Sequence, residues 1–95
     1  MHYYTRTPNR LRKYRSEAGY SQRQAARLLG FNSAAQLSRW ENGSTIPTVE
    51  NLLKLSILYH HLPTQLYLDF YWDLKDRLHG RLEMLSSTKK NLAAA

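Results

Sequence analysis

Arg6, Arg10, Arg12, Lys13, Arg15, Arg23, Arg27 and Arg39 place eight cationic side chains in the first forty residues, where Glu17 is the lone acid. Residues 41–95 hold six charges of each sign, so the net charge of +7 sits entirely in the first forty positions. Bases gathered this way displace condensed counterions from phosphates, which makes a polyanion the natural partner. A solubilising surface is the other reading of the charge alone. Other chemistry is poorly supplied. With no cysteine among 95 residues there is no thiol nucleophile, disulfide framework, Cys-containing zinc site or iron–sulfur cluster. His60 and His61 are adjacent rather than spaced along one helix face, and His2 and His79 bring no companion ligand, so no metal and no cofactor is expected. Tyr3, Tyr4, Tyr14 and Tyr20 among the bases could stack on single-stranded nucleic acid, but helical periodicity favours core packing for Tyr14 and Tyr20. No nucleophile–base pair occurs, and a chain of this size buries one core without a deep, lidded cavity, so no enzyme is expected.

No run of 18 apolar residues occurs and the basic start is followed by polar sequence. Neither a membrane span nor a secretory signal is therefore expected, and the chain is placed in the cytoplasm, at the nucleoid. Asn42-Gly43-Ser44 matches a glycosylation sequon but reads more simply as a turn.

The elements that hold these groups all read as helices. Thr7-Pro8 is an N-cap followed by a first helical residue, Leu11, Tyr14 and Ala18 recur at helical spacing, and Gly19 is a stop, which predicts a helix over 8–18. Ser21 caps a second helix over 22–29, whose stripe is Ala25, Ala26, Leu28 and Leu29, closed by Gly30. Ser33 caps a short third helix, Ala34 to Glu41, with Leu37 and Trp40 on one face and Asn42-Gly43 after it. Pro47-Thr48 opens a fourth with Leu52, Leu55 and Tyr59 in period, and a break at His60-His61-Leu62-Pro63 precedes a fifth near 64–85. The expectation is an all-α, five-helix domain with an extended C-terminal helix.

Ser21-Gln22, Ala26, Leu29-Gly30 and Leu37-Ser38-Arg39-Trp40-Glu41-Asn42-Gly43 together form a motif that resembles the helix-turn-helix of the phage repressor and Cro (XRE-like) family, from about Leu11 to Leu66. Steeply crossing helices need a small residue at their approach, which suits Ala26, and a residue tolerant of positive φ between them, which suits Gly30. The chain carries Phe31-Asn32-Ser33 where two residues are usual in the family, so the register is set backward from Trp40.

The resemblance implies a lambda-repressor-like fold whose third helix enters the major groove, with Ser33, Ala34, Ala35, Gln36 and Arg39 as base readers. Gln can bond bidentately to adenine, Arg to guanine, and an alanine methyl can meet a thymine methyl. Gln22 and Arg23, with the first amides of the second helix, and Asn42, Ser44 and Thr45 after the third are implied phosphate contacts, which fix register without reading sequence. Arg6 and Arg10 could extend this as a basic arm or belong to a disordered tail. Arg15 and Glu41 stand where the family commonly places a structural ion pair.

Tyr67, Tyr71, Leu74, Leu78 and Leu85 repeat at helical intervals with Leu82 beside them. A fifth helix of this length reaches beyond a small domain, and its stripe needs another surface. Tyr71, Leu74, Leu78, Leu82 and Leu85 are the candidate homodimer interface; a back-fold onto the first and fourth helices, or fraying near Gly80, are the other readings. The chain thus divides into a basic arm (1–7), a helix-turn-helix domain (8–62), a dimerisation helix (63–86) and a disordered tail (87–95). The expected function is a sequence-specific double-stranded DNA-binding regulator, a repressor for want of an activating or ligand-sensing segment, binding a pseudo-palindromic operator as a homodimer. The alternative is an antitoxin or adaptor that grips a protein partner through the C-terminal helix, with RNA binding a distant third.

Overall fold

The computed structural model describes residues 6–94 of the chain. Its helices are α1 (Leu11–Glu17), α2 (Gln22–Leu28), α3 (Ala35–Glu41), α4 (Val49–Tyr59), α5 (Pro63–Leu66) and α6 (Leu68–Ala94), with no strand among the described residues. The architecture is all-helical with a long last helix, but the described residues form six helices rather than five. Tyr67, at φ −123° and ψ 41°, divides the expected fifth helix into a one-turn α5 and α6. Leu66 and Tyr67 are neighbours, and both are buried. Successive residues of a continuous helix point about 100° apart, and the break lets both reach the core. The core therefore extends beyond residue 62, the boundary expected for the domain.

Helix starts show which capping signals decide. α1 begins at Leu11, not at Pro8. The Thr7 amide is engaged elsewhere, donating to the Gly43 carbonyl at 2.9 Å, while the Asn9 side-chain oxygen accepts from the Leu11 amide at 3.1 Å. Ser21 behaves as a full capping box with Gln24: its hydroxyl accepts from the Gln24 amide and the Gln24 side chain accepts from its own. Ser33 is not the cap of α3, which Ala34 occupies; the Ser33 hydroxyl only approaches the Ala35 amide, at 3.4 Å. The additional residue of the turn is taken up by bends over 32–34, which push the helix start one position on.

Trp40, Leu11, Leu37, Leu55 and Leu66 are the largest fully buried side chains, and Ala25 and Ala26 pack among them. Tyr14 is buried and stacks on the His61 ring at 3.7 Å between centroids, and Tyr20 is half-buried against the core. Both tyrosines therefore pack as core residues. Tyr3 and Tyr4, like the first five residues of the expected arm, lie outside the described residues.

One polar assembly ties this core together. Arg15 Nε donates to Glu41 Oε2 at 2.7 Å and Arg15 Nη2 to Glu41 Oε1 at 3.1 Å, while Arg15 Nη1 donates to the Tyr20 carbonyl at 2.8 Å. Gln22 Nε2 adds a bond of 2.9 Å to Glu41 Oε1. The two charged side chains are only 11% and 6% exposed, and the carboxylate raises the Arg15 guanidinium further above its ordinary range. The end of α3 is thus fixed to α1, to the turn after it and to the start of α2.

α6 is rooted and then leaves. Arg10 donates its backbone N–H to the Leu66 carbonyl at 2.8 Å and its side chain to the Asp69 carboxylate through Nε and Nη2 at 3.3 and 3.2 Å. That guanidinium holds the Asp69 carboxyl below the usual range. Phe70 packs edge-on against Tyr67. From Tyr71 onward the stripe of Leu74, Leu78, Leu82 and Leu85 is exposed, so the helix does not fold back on α1 and α4. It runs without interruption through Gly80 and past 86, where a disordered tail was expected, to Ala94.

Two stability predictions follow from these contacts. Arg15→Met or Glu41→Leu alone should cost on the order of 3 kcal/mol by stranding a nearly buried charge, and the double variant should regain more than half of the loss in thermal melts. A double variant no more stable than either single one removes the pair as the tie. Gly43 has φ +81°, and an added Cβ would lie 2.5 Å from the Thr7 carbonyl oxygen, whereas one at Gly30, φ +90°, meets nothing within 4 Å. In urea titrations Gly30→Ala should cost about 1 kcal/mol from the left-handed backbone alone, and Gly43→Ala clearly more, since Thr7 must move as well.

Candidate nucleic-acid interface

α3 is seven residues long, and its periodicity divides it cleanly. Leu37 and Trp40 point inward and are 1% exposed, with Phe31 edge-on to the Trp40 ring. Ala35, Ser38 and Arg39 are exposed on the other side, Gln36 and Ala34 are half-buried, and Ser33 is exposed just before the helix. The outer face is therefore open to a ligand along its whole length. Gln36 and Arg39, three apart, are brought into direct contact: Arg39 Nη2 donates to Gln36 Oε1 at 3.0 Å. This bond orients the fork of the guanidinium before any partner arrives.

The loop after α3 is shaped by its own polar groups. Asn42 Oδ1 accepts from the Ser44 amide at 2.9 Å, and the Ser44 hydroxyl donates to the Arg39 carbonyl at 3.2 Å. Thr45 is exposed beyond them. The N-terminal segment then clamps the loop from outside. Arg6 Nη1 donates to the Asn42 carbonyl at 3.1 Å, Thr7 to Gly43, and Asn9 Nδ2 to the Trp40 and Glu41 carbonyls at 3.1 and 3.2 Å. Arg6 thus lies beside the expected phosphate-contacting loop, whereas Arg10 is committed to Asp69 at the root of α6.

Gln22 and Asn42, from opposite ends of the motif, face the same polar cleft of about 550 Å³ together with Arg12, Ser21 and Ser38. The Gln22 amide is already bonded to Glu41, so its side chain positions α3 as well as facing the cleft. Arg23 lies exposed at the second position of α2, and neither it nor Ser44 and Thr45 lines that cleft. Glu41 is the one carboxylate in the cleft wall, and Arg15 neutralises it, so the exposed Arg12 sets the sign of the rim. Tyr71, Leu74, Leu78, Leu82 and Leu85 stand apart from this face, on α6.

Two contributors were passed over in the sequence. Asn9, one residue before the cap position of α1, accepts from the Leu11 amide with one atom of its side-chain amide and holds the end of α3 with the other; an Asn just ahead of a helical run was an available signal. Arg12 carries no motif signature, only its place one turn before Arg15. The histidines have structural posts: His60 closes α4 in the left-handed region at φ 59°, and the His61 carbonyl accepts from the Ser56 hydroxyl. No helix among the described residues is long and apolar enough to cross a membrane.

A family model described as helix-turn-helix matches residues 11–65, from the first residue of α1 into α5, more than half of the chain. Neither a curated protein nor a solved structure matches it. With its lambda-repressor-like arrangement of helices, the chain belongs to the XRE-like helix-turn-helix family, whose domains bind DNA in transcriptional regulators.

Proposed function

We propose that the chain is a sequence-specific double-stranded DNA-binding repressor that recognises a pseudo-palindromic operator as a homodimer. The observation that carries this reading is the open outer face of α3, with Gln36 and Arg39 pre-oriented by a mutual hydrogen bond. In the proposed complex this face lies in the major groove, Arg39 reads guanine, Gln36 reads adenine, and Ser33, Ala34 and Ala35 meet the bases nearest the helix start. Arg23, Gln22, Asn42, Ser44 and Thr45 meet the flanking phosphates, joined by Arg12 on the cleft rim and Arg6 beside the loop. These contacts set the register, and the excess of bases in the first forty residues supplies the sequence-independent attraction. The homodimer forms through Tyr71, Leu74, Leu78, Leu82 and Leu85, which are 41–57% exposed on one side of α6. Seated across a promoter, such a dimer acts by occlusion.

The same exposed stripe favours the second reading, in which α6 grips a different protein as an antitoxin or adaptor does. Binding to the DNA flanking the chain's own coding region, measured against random duplex over a salt series, separates the two. The repressor reading expects a dimer, a steep fall of affinity with salt and a clear preference for the flanking DNA. Weak binding without preference, by a chain that sediments as a monomer, favours the adaptor. Arg39→Ala should lose about 1–3 kcal/mol of discrimination while binding random DNA almost as before. Arg23→Ala should weaken operator and random DNA alike and lower the salt slope by about one. Equal losses on both DNAs for Arg39→Ala would remove it from the readers.

A further inference from the structure

Among the described residues, two helix faces present rows of exposed apolar side chains. One is the α6 stripe. The other runs along the outside of α4, where Val49, Leu53 and Ile57 follow one another at four-residue steps and are 74%, 49% and 75% exposed. Leu28, at the end of α2, is 62% exposed and shares a shallow cleft with Ile57. The ridge does not hold the fold together, since α4 commits Leu55 and Tyr59 to the core from its other side. A helix on the surface of a domain ordinarily turns its polar side to water, yet Glu50 and Lys54 are the only charged residues on α4.

We propose that the α4 ridge is the seat of the partner copy's α6 stripe, so that two chains embrace by exchanging their C-terminal helices. The proposal rests on the homodimer reading above and names the surface that receives each helix. Four features of the chain support it. The first is row geometry. Val49, Leu53 and Ile57 form an i±4 row, and so do Leu74, Leu78 and Leu82; rows of this kind on two helices interdigitate in the commonest packing class, at about −50°.

The second is area. Five half-exposed side chains on the stripe offer roughly 500 Å² per copy, short of the ~800 Å² that a standard stable interface takes from each partner, and the ridge makes up the difference. The third is continuity. Ile46 and Leu52 share one apolar cleft of about 260 Å³ with Tyr71 and Leu74, so the stripe begins in an apolar cleft that the start of α4 helps to line. The fourth is closure. Ridge and stripe are different surfaces, and a two-fold axis that places each stripe on the other chain's ridge uses both contacts twice and leaves neither open to further copies. The stripe from Tyr71 to Leu85 is about 21 Å long and the ridge about 12 Å, so the stripe is long enough to cross the ridge and bury the turns where they meet.

The absence of cysteine makes a direct test clean. Ile57→Cys and Leu78→Cys chains are prepared separately, mixed in equal amounts and oxidised. Both positions are exposed, and far-UV melts establish that each variant folds. The exchange expects a covalent dimer in the mixture at a yield at least about tenfold that of either variant alone, because it brings ridge to stripe and neither surface to its own copy. It also expects Ile57→Asp to reduce the sedimenting mass from twice 11.2 kDa to 11.2 kDa. Cross-linking of Leu78→Cys alone, with no gain on mixing and a dimeric Ile57→Asp, means that α6 pairs only with its twin, which overturns the exchange and leaves the homodimer standing. An unsubstituted chain that sediments as a monomer overturns both.

Discussion

Glu41 has to end α3 and, at the same time, accept three hydrogen bonds from residues on two other helices. The rest of the motif depends on that constraint. A seven-residue helix cannot hold itself in water, because helices shorter than about 12–15 residues are marginal even with good formers. α3 keeps its place through Leu37 and Trp40 beneath it and through the carboxylate at its end. Those two anchors lie on the inner side, which leaves the outer side free of structural duty. A buried charge pair is a poor source of net stability, but it is demanding about direction, and two nitrogens of one guanidinium meeting two oxygens of one carboxylate fix the helix in rotation as well as in position. The Arg15 bond to the Tyr20 carbonyl carries the same rigidity into the turn before α2.

A second brace acts on the same C-terminal end of α3 and is built from chain that precedes α1. Asn9 spans the start of one helix and the end of another with a single amide, and Thr7 lies so close to Gly43 that only a residue without a side chain fits there. The basic segment at residues 6–10 therefore works as a strap before it works as charge: Arg6 holds the loop after α3 and Arg10 holds the root of α6. One short stretch thus ties the loop after α3 and the departing helix to the same few residues.

Much of this was legible in the sequence because the signals were local. Ser21 with Gln24, the glycines at 19, 30 and 43, and the spacing of Ala26, Leu37 and Trp40 each state a cap, a stop or a buried side within a few residues, and Gly19, Gly30 and Gly43 all have positive φ. What was misread depended on distant partners. Thr7-Pro8 is a sound helix start by itself, but the Thr7 amide is claimed by Gly43, thirty-six positions on, and α1 begins later. The fifth helix reads as continuous from Pro63 because its period is unbroken, yet the demand that Leu66 and Tyr67 both enter the core breaks it at Tyr67. Ser33 lost its cap to a turn one residue longer than the family's usual one, a length whose consequence only the three-dimensional path could decide. The reader positions Gln36 and Arg39 were named by their place in the motif, whereas their mutual bond needed coordinates.

That bond also shapes how the proposed readers can act. Fixing a long side chain on binding costs about 0.5–1.5 kcal/mol, and Arg39 is already held at one nitrogen, so less of that cost remains when its fork meets guanine. Gln36 does not forfeit adenine by bracing its neighbour. An amide oxygen has two lone pairs, and one can accept from Arg39 while the other accepts from the adenine amino group and the Gln36 NH₂ donates to N7. The two side chains then read neighbouring bases as one unit, and a change at either position should be felt at the other's base. Such coupling needs a helix that does not rotate under load, and the carboxylate of Glu41, five positions after Gln36 at the end of α3 and braced from α1 and α2, is what prevents it.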